Sequence, residues 1–275
     1  TMKASTSEST FQSRLERARA EMARTRVDAL ILSLGHDLPY LTGYLAMPLE
    51  RLTLLVVPRD GEASLIIPRL EAPRVTEMPS VFSLATWNET DDPVALAHKL
   101  LGAARTIAVG DQMWSRFLVD LLKFRPDAKY VRSVVVMEAL RSRKDAAEIA
   151  ALVAAGAAAD RVAAQLHAGD IPLVGRTEAQ VSADISARLL AEGHQVVNFA
   201  IVAAGENAAS PHHHAGDRVI KHGEIVLCDF GGTMNGYCSD ITRCVHIGEP
   251  PSDIAEAYSV LFESQAAGVA AGIIG

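Results

Sequence analysis

Apolar and polar positions along this chain follow two rhythms, a helical one and a strand-like one, which alternate through its first half. Phe11, Leu15, Ala18 and Met22 recur at helical spacing with Arg14, Glu16, Arg17 and Glu21 on the other faces, which predicts an amphipathic first helix. Residues 28–34 form a continuous apolar run, as expected of a buried strand. Two β-rich runs, 52–58 and 63–68, flank Arg59-Asp60-Gly61-Glu62, whose Asp-Gly pair signals a hairpin. A helix is expected over 94–104, a strand over 106–109, a helix over 114–123 and a strand over 131–137. Strands alternating with helices predict an α/β domain. Between them, His36, Asp37 and Tyr40 read as polar positions of a surface loop.

The second half opens on a longer helical stretch. Arg141-Ser-Arg-Lys-Asp145-Ala-Ala-Glu148 leads into it, and Ile149, Leu152, Val153, Val162 and Leu166 are expected on its inner side. Its Ala-rich apolar run, 149–159, is short for a bilayer span. Thr177-Glu-Ala-Gln180 is a capping box, followed by the stripe Val181, Ile185 and Leu189 and a stop at Gly193. A strand is expected over 196–204, leading to a loop with Pro211-His212-His213-His214, of which His213 and His214 read as surface polar groups. Then come two β-rich runs, EIVLCDF and YCSDITRCVHI, joined by GGTMNG, which predict a hairpin with a long loop. Ser252 can cap a last helix carrying Ile254, Tyr258, Leu261 and Phe262.

Each hairpin strand carries an acid where an apolar residue is expected. Asp229 shares a face with Ile225 and Leu227; Asp240 shares one with Cys238, Thr242, Cys244 and His246. Carboxylates in such places pair with a cation or coordinate a metal. The plainer alternative makes Asp229 a turn residue and Asp240 an ion-pair partner of Arg243. His246, near its strand end, reads as structural.

The flanks bear on that choice. Pro211-His212 precedes the hairpin, ten residues separate Asp229 from Asp240, and Ser239-Asp240-Ile241-Thr242-Arg243 surrounds the second acid. In these residues the chain resembles the pita-bread metallopeptidases, which include the Xaa-Pro dipeptidases (prolidases) and aminopeptidase P. Tyr40-Leu-Thr-Gly-Tyr44 is similar to a stretch of creatinase-like N-terminal domains, and the 140–149 segment to the helix that begins the catalytic domain. The resemblance implies a mixed α/β fold with a creatinase/prolidase-like domain over 8–139 and the first part of a pita-bread domain over 140–275. It implies two divalent ions, Mn²⁺ first and Co²⁺ or Zn²⁺ as alternatives, with Asp229 binding one ion and Asp240 bridging both. Carboxylates suit such hard or borderline ions. Thr242 would support a ligating carboxylate, and His212 would steady the substrate or the tetrahedral intermediate. The family's other ligands, one His and two Glu, are expected further downstream, so on this reading residues up to Gly275 alone would be inactive. A homodimer and an Xaa-Pro peptide substrate are implied as well. Aminopeptidase P and a non-catalytic pita-bread binding module are the alternatives. Creatinase, which lacks the Asp pair, and methionine aminopeptidase, which lacks the first domain, fit less well.

Composition changes this picture little. With 275 residues the length suits two domains, and 49% apolar with 21% charged residues is ordinary for a globular chain. A formal charge of −7 argues against a nucleic-acid partner or an electrostatic membrane anchor. The opening TMKASTSEST has no apolar export segment. Three cysteines on predicted strands form no disulfide framework or short-spaced zinc site, which suggests reduced, buried thiols and a cytoplasmic protein.

Overall fold

The computed structural model describes residues 7–274, so the first six positions of the polar opening stretch lie outside the described residues. The chain divides into two compact units between Lys144 and Asp145. The first unit holds α1 (Glu8–Thr25), β1 (Ala29–Leu32), α2 (Asp37–Thr42), β2 (Leu54–Pro58), β3 (Ser64–Pro68) and β4 (Ser83–Trp87). It continues with α3 (Pro93–Leu100), β5 (Thr106–Val109), α4 (Ser115–Phe124), β6 (Lys129–Arg132) and α5 (Val134–Arg141). Its six strands form one mixed sheet in the order β4-β3-β2-β1-β5-β6. The continuous apolar run of β1 is buried on both faces, which requires a layer on each side. One face packs on α1, α2 and α5, and the other on α3 and α4.

Two expectations for this unit change. The run at 131–137 is not one strand: β6 ends at Arg132 and α5 begins at Val134. Val136, Met137 and Leu140 bury themselves at helical spacing against the α1 side of the core, and that packing overrides the strand preference of a Val-rich run. The stretch read as a surface loop contains α2, and Tyr40 is buried beneath Arg14, whose guanidinium lies 4.1 Å from the ring centroid. Asp37 is ion-paired to Arg141 at 2.6 Å, and only His36 of the three is exposed. Strand β4, parallel to β3, carries no alternation that would announce it.

The second unit contains α6 (Ala146–Ala168), α7 (Glu178–Ala191), β7 (Val196–Ala204), β8 (Ile225–Met234), β9 (Tyr237–Cys238), β10 (Ile241–His246) and α8 (Ser252–Ala270). Its antiparallel sheet runs β10-β8-β7, with β9 also on β8. Helices α6 and α7 cover one face through Ala159, Val162, Leu166, Val181, Ile185 and Leu189, which meet Val202, Val226, Cys228 and Phe230. The inner stripe of α6 is therefore Ala155, Ala158, Ala159, Val162 and Leu166; Ile149 and Val153, expected inside, are exposed. Small alanines let the helix approach its neighbours closely, which a bulkier stripe would prevent. At 23 residues, α6 is long and apolar enough by length and composition to cross a membrane, unlike its 149–159 core, yet this stripe is packed against the unit's own sheet.

Helix α8 buries none of its residues, and its first residue is Ser252, preceded by Pro251, so Ser252 does not cap it. The cysteines are all free, but only Cys228 is buried; Cys238 is exposed and Cys244 half-buried.

Candidate functional site

The hairpin differs from its expected form. Strand β8 continues through Gly231 and Gly232 to Met234, and the turn is only Asn235-Gly236, both with positive φ (53° and 85°). Two such residues in a row make the tight turn whose twist suits antiparallel strands. The two glycines serve close approach instead. A β-carbon on Gly231 would lie 2.1 Å from the Ser239 carbonyl oxygen, and one on Gly232 would lie 2.5 Å from that of Val196.

Register then fixes the acids. Thr242 of β10 faces Asp229 of β8, and Ile201 of β7 faces Asp229 from the other side. The β8–β9 pair Thr233–Cys238 and the β8–β10 pair Phe230–Ile241 lie on one register, so Asp240 falls opposite Gly231. Asp229 and Asp240 are thus diagonal neighbours on one sheet face, at about the 7–8 Å usual for such Cα pairs. That face is opposite to the one covered by α6 and α7, since Cys228 and Phe230 point to the helices. Thr242 Oγ1 donates to Asp229 Oδ1 at 2.9 Å. Asp240 is exposed, and among the described residues neither acid makes an ion pair; Arg243 turns away and donates to the Thr242 carbonyl at 2.8 Å. The Asp240–Arg243 alternative is therefore not what the structure contains.

Two polar networks brace the site, and neither was legible as such in the sequence. His194, buried just beyond α7, has Nδ1 3.1 Å from the Leu189 carbonyl and Nε2 2.8 Å from Ser239 Oγ. The carbonyl can only accept, so Nδ1 carries the proton, and Nε2 accepts from the Ser239 hydroxyl. Ser239 Oγ in turn accepts from the Gly232 amide at 3.2 Å. Every member is satisfied, which pins the residue before Asp240.

The second network surrounds Glu178, the first residue of α7, whose side chain is 1% exposed. Oε1 accepts from the Ala204 amide at 2.8 Å and Asn207 Nδ2 at 3.0 Å; Oε2 accepts from His213 Nε2 at 2.8 Å and, more weakly, the Gly216 amide at 3.4 Å. Burial pushes this carboxyl up, but the four donors together hold it below the usual carboxylate value. His213 is therefore no surface polar group, whereas His214 is exposed. A signal existed: Glu178 lies three residues before Val181, on the same stripe as Ile185 and Leu189.

His212 is exposed, has φ +57°, and hydrogen-bonds to no other described residue. The strand end that launches its loop, Ala204, faces Val226, about 10 Å along β8 from Asp229 at the usual strand rise. His246 has Nδ1 3.0 Å from the Gly248 carbonyl at the strand end.

The donor chemistry of Asp229 and Asp240 fits a hard divalent ion: oxygen ligands on one face, with no cation already neutralising them. They are two, however, and no group of three or more His, Cys, Asp or Glu able to hold a metal occurs among the described residues. A metal held here needs further donors, and the structure does not gather His212 with the two acids.

Comparison with known proteins identifies the family of each unit. Residues 14–143 match the creatinase/prolidase N-terminal domain, and residues 144–273 match metallopeptidase family M24. A probable dipeptidase, PepE, of Mycobacterium tuberculosis is 41% identical over 94% of this chain and 69% of its own length. The crystal structure of dipeptidase PepE from Mycobacterium ulcerans superposes with TM-score 0.85 at 40% identity, over 92% of this chain and 69% of that one. A prolidase from Thermococcus sibiricus gives TM-score 0.86 at 26% identity, over 96% and 72%. The mixed α/β architecture is thus a creatinase-like domain followed by pita-bread structure, and the chain belongs to metallopeptidase family M24.

Proposed function

We propose metal-dependent hydrolysis of Xaa-Pro dipeptides as the function, with two divalent ions, Mn²⁺ first, held by Asp229, Asp240 and further donors that the described residues do not gather. The observation that carries the reading is the diagonal pair of acids, unpaired by any cation, on the open face of β8 and β10. Divalent ions held here would supply acidified water and positive charge for a developing oxyanion. The chain's own residues do the rest. Asp229 contributes one carboxylate, oriented by the Thr242 hydroxyl that occupies one of its lone pairs. Asp240 would supply the second carboxylate, its backbone fixed by the Ser239–His194 lock. His212 donates a hydrogen bond to the substrate or to the tetrahedral intermediate formed on its carbonyl carbon. Homology to dipeptidases at 41% identity favours a dipeptide substrate over a longer one. The family resemblance supports a homodimer, and the −7 charge and reduced cysteines support a cytoplasmic protein without nucleic-acid or membrane partners, to be tested by sedimentation and cell fractionation.

Product analysis decides between the readings. Incubation with an Xaa-Pro dipeptide and with a longer Xaa-Pro peptide should release free proline from the first and leave the second intact. Cleavage of the longer peptide after its first residue would favour aminopeptidase P instead. No turnover of either, with no bound metal, would favour a binding module.

A further inference from the structure

Glu178 stands outside the metal site, yet its four donors do not come from scattered places. Ala204 is the last residue of β7, Asn207 lies in the 3-10 turn Gly205–Ala209, and His213 and Gly216 flank the far side of the same loop. All four bonds thus tie the two ends and the inner flank of one excursion, 204–216, to a single buried carboxylate. A carboxylate offers about four acceptor positions, and here each is used. The backbone of α7 adds to the same seam: the Glu178 amide donates to the Arg218 carbonyl at 3.0 Å and the Ala179 amide to that of Gly216 at 3.0 Å. Between the tied residues stands His212, whose left-handed backbone (φ +57°) persists only where its surroundings determine it.

We infer that Glu178, with His213 as its partner, is a positioning residue that sets the conformation of the 205–216 loop and through it the placement of His212. This inference rests on the role given above to His212, but the loop's dependence on Glu178 can be measured separately. Only an acid of this length meets four donors. Glutamine turns an amide NH₂ toward two of them, and aspartate withdraws the acceptors from the loop. Arg218, whose carbonyl accepts from the Glu178 amide, has its guanidinium engaged by Glu206 and Glu224 and does not compete for the Glu178 carboxylate.

The test is amide hydrogen exchange on the full chain, without activity as the readout. In Glu178→Gln the amides of Ala204 and Gly216 and the 205–216 loop should lose protection while β8 and β10 keep theirs. His213→Ala, which leaves the α7 core untouched and covers the case in which the first variant does not fold, should release the Gly216 side alone. Wild-type protection of the loop in both variants, or in His213→Ala if the first does not fold, would overturn the inference. Kinetics then separates it from the reading of His212. Misplacement of a contact group costs up to about 10²-fold in rate, so Glu178→Gln should lower kcat/KM on the order of 10²-fold, with Glu178→Asp retaining more activity. If His212→Ala is fully active, the role of His212 fails while exchange still judges the clamp. If His212→Ala is impaired and Glu178→Gln loosens the loop without changing kcat/KM, the positioning role fails.

Discussion

A β-carbon on Gly231 would meet the Ser239 carbonyl oxygen at 2.1 Å, backbone against backbone, with no flexible side chain to give way. Gly231→Ala must therefore push β8 away from the segment that carries Asp240. Overpacking of this kind costs about 1–3 kcal/mol, so thermal unfolding should shift down and Mn²⁺ affinity should fall with it. A variant with unchanged melting temperature and metal affinity would show that the close approach is dispensable. Thr242→Val probes the other side of the pair. It keeps size and β preference but removes the donor to Asp229 Oδ1. Loss of such an outer contact typically weakens metal binding about 10–100-fold, which calorimetric titration with Mn²⁺ would read. These residues also show what a sequence conceals. The faces of Asp229, Asp240 and Thr242 were legible from alternation, because faces on a strand follow from parity, while their metal role comes from the family resemblance alone. The buried partner His194 was not legible, and of Glu178 only its place on the α7 stripe showed, since their donors and acceptors lie on elements far along the chain.

Among elements, α7 does the most for the site. Its stripe was read correctly from period alone: Val181, Ile185 and Leu189 are fully buried. Its capping box is present too, with Thr177 Oγ1 accepting from the Gln180 amide at 3.1 Å and Gln180 Oε1 from the Thr177 amide at 3.0 Å. Thr177→Ala should destabilise the protein by about 1 kcal/mol, the usual worth of such a cap, measured by urea unfolding. An unchanged midpoint would mean that the docking of α7 onto the 216–218 segment, rather than the cap, holds the helix start. Where period reading failed, tertiary packing had overruled local preference. Val134 to Met137 became the start of α5 because a helix buries Val136, Met137 and Leu140 together. The first two glycines of GGTMNG belong to a strand rather than a loop, since glycine marks close backbone approach as readily as a turn. In α6 the small alanines, rather than the larger Ile149 and Val153, face inward, a choice that hydrophobicity alone does not reveal.

At the scale of the molecule, charge pairs make stability depend on pH in one direction. Glu224, hydrogen-bonded by Arg218 and the Lys221 amide, is held down to about 2 from an ordinary 4.5. Glu178 and Asp184 are lowered as well, against the burial that would raise them, Asp184 by Arg188 and Arg176. A group with a depressed native value stabilises the fold fully above its unfolded value and loses that contribution as pH falls through the native one. Stability should therefore decline as pH drops from about 4.5 toward about 2, and Arg218→Gln should flatten that decline. An equal slope in the variant would remove Arg218 as its source. The two-unit organisation was readable from the switch between strand–helix alternation and the long helical stretch, while the extent of the metal site was not, because two acids on one face do not by themselves make a cage.

Asp229 and Asp240 are proposed to hold catalytic metal for dipeptide hydrolysis. The most direct measurement is proline release from an Xaa-Pro dipeptide by wild-type protein that includes the further His and Glu ligands the family resemblance implies, and by its Asp240→Ala variant, each with Mn²⁺ and with a chelator. Release by the wild type that needs Mn²⁺ and vanishes in Asp240→Ala is the expected result. Release that survives the chelator, or full activity in Asp240→Ala, would contradict it.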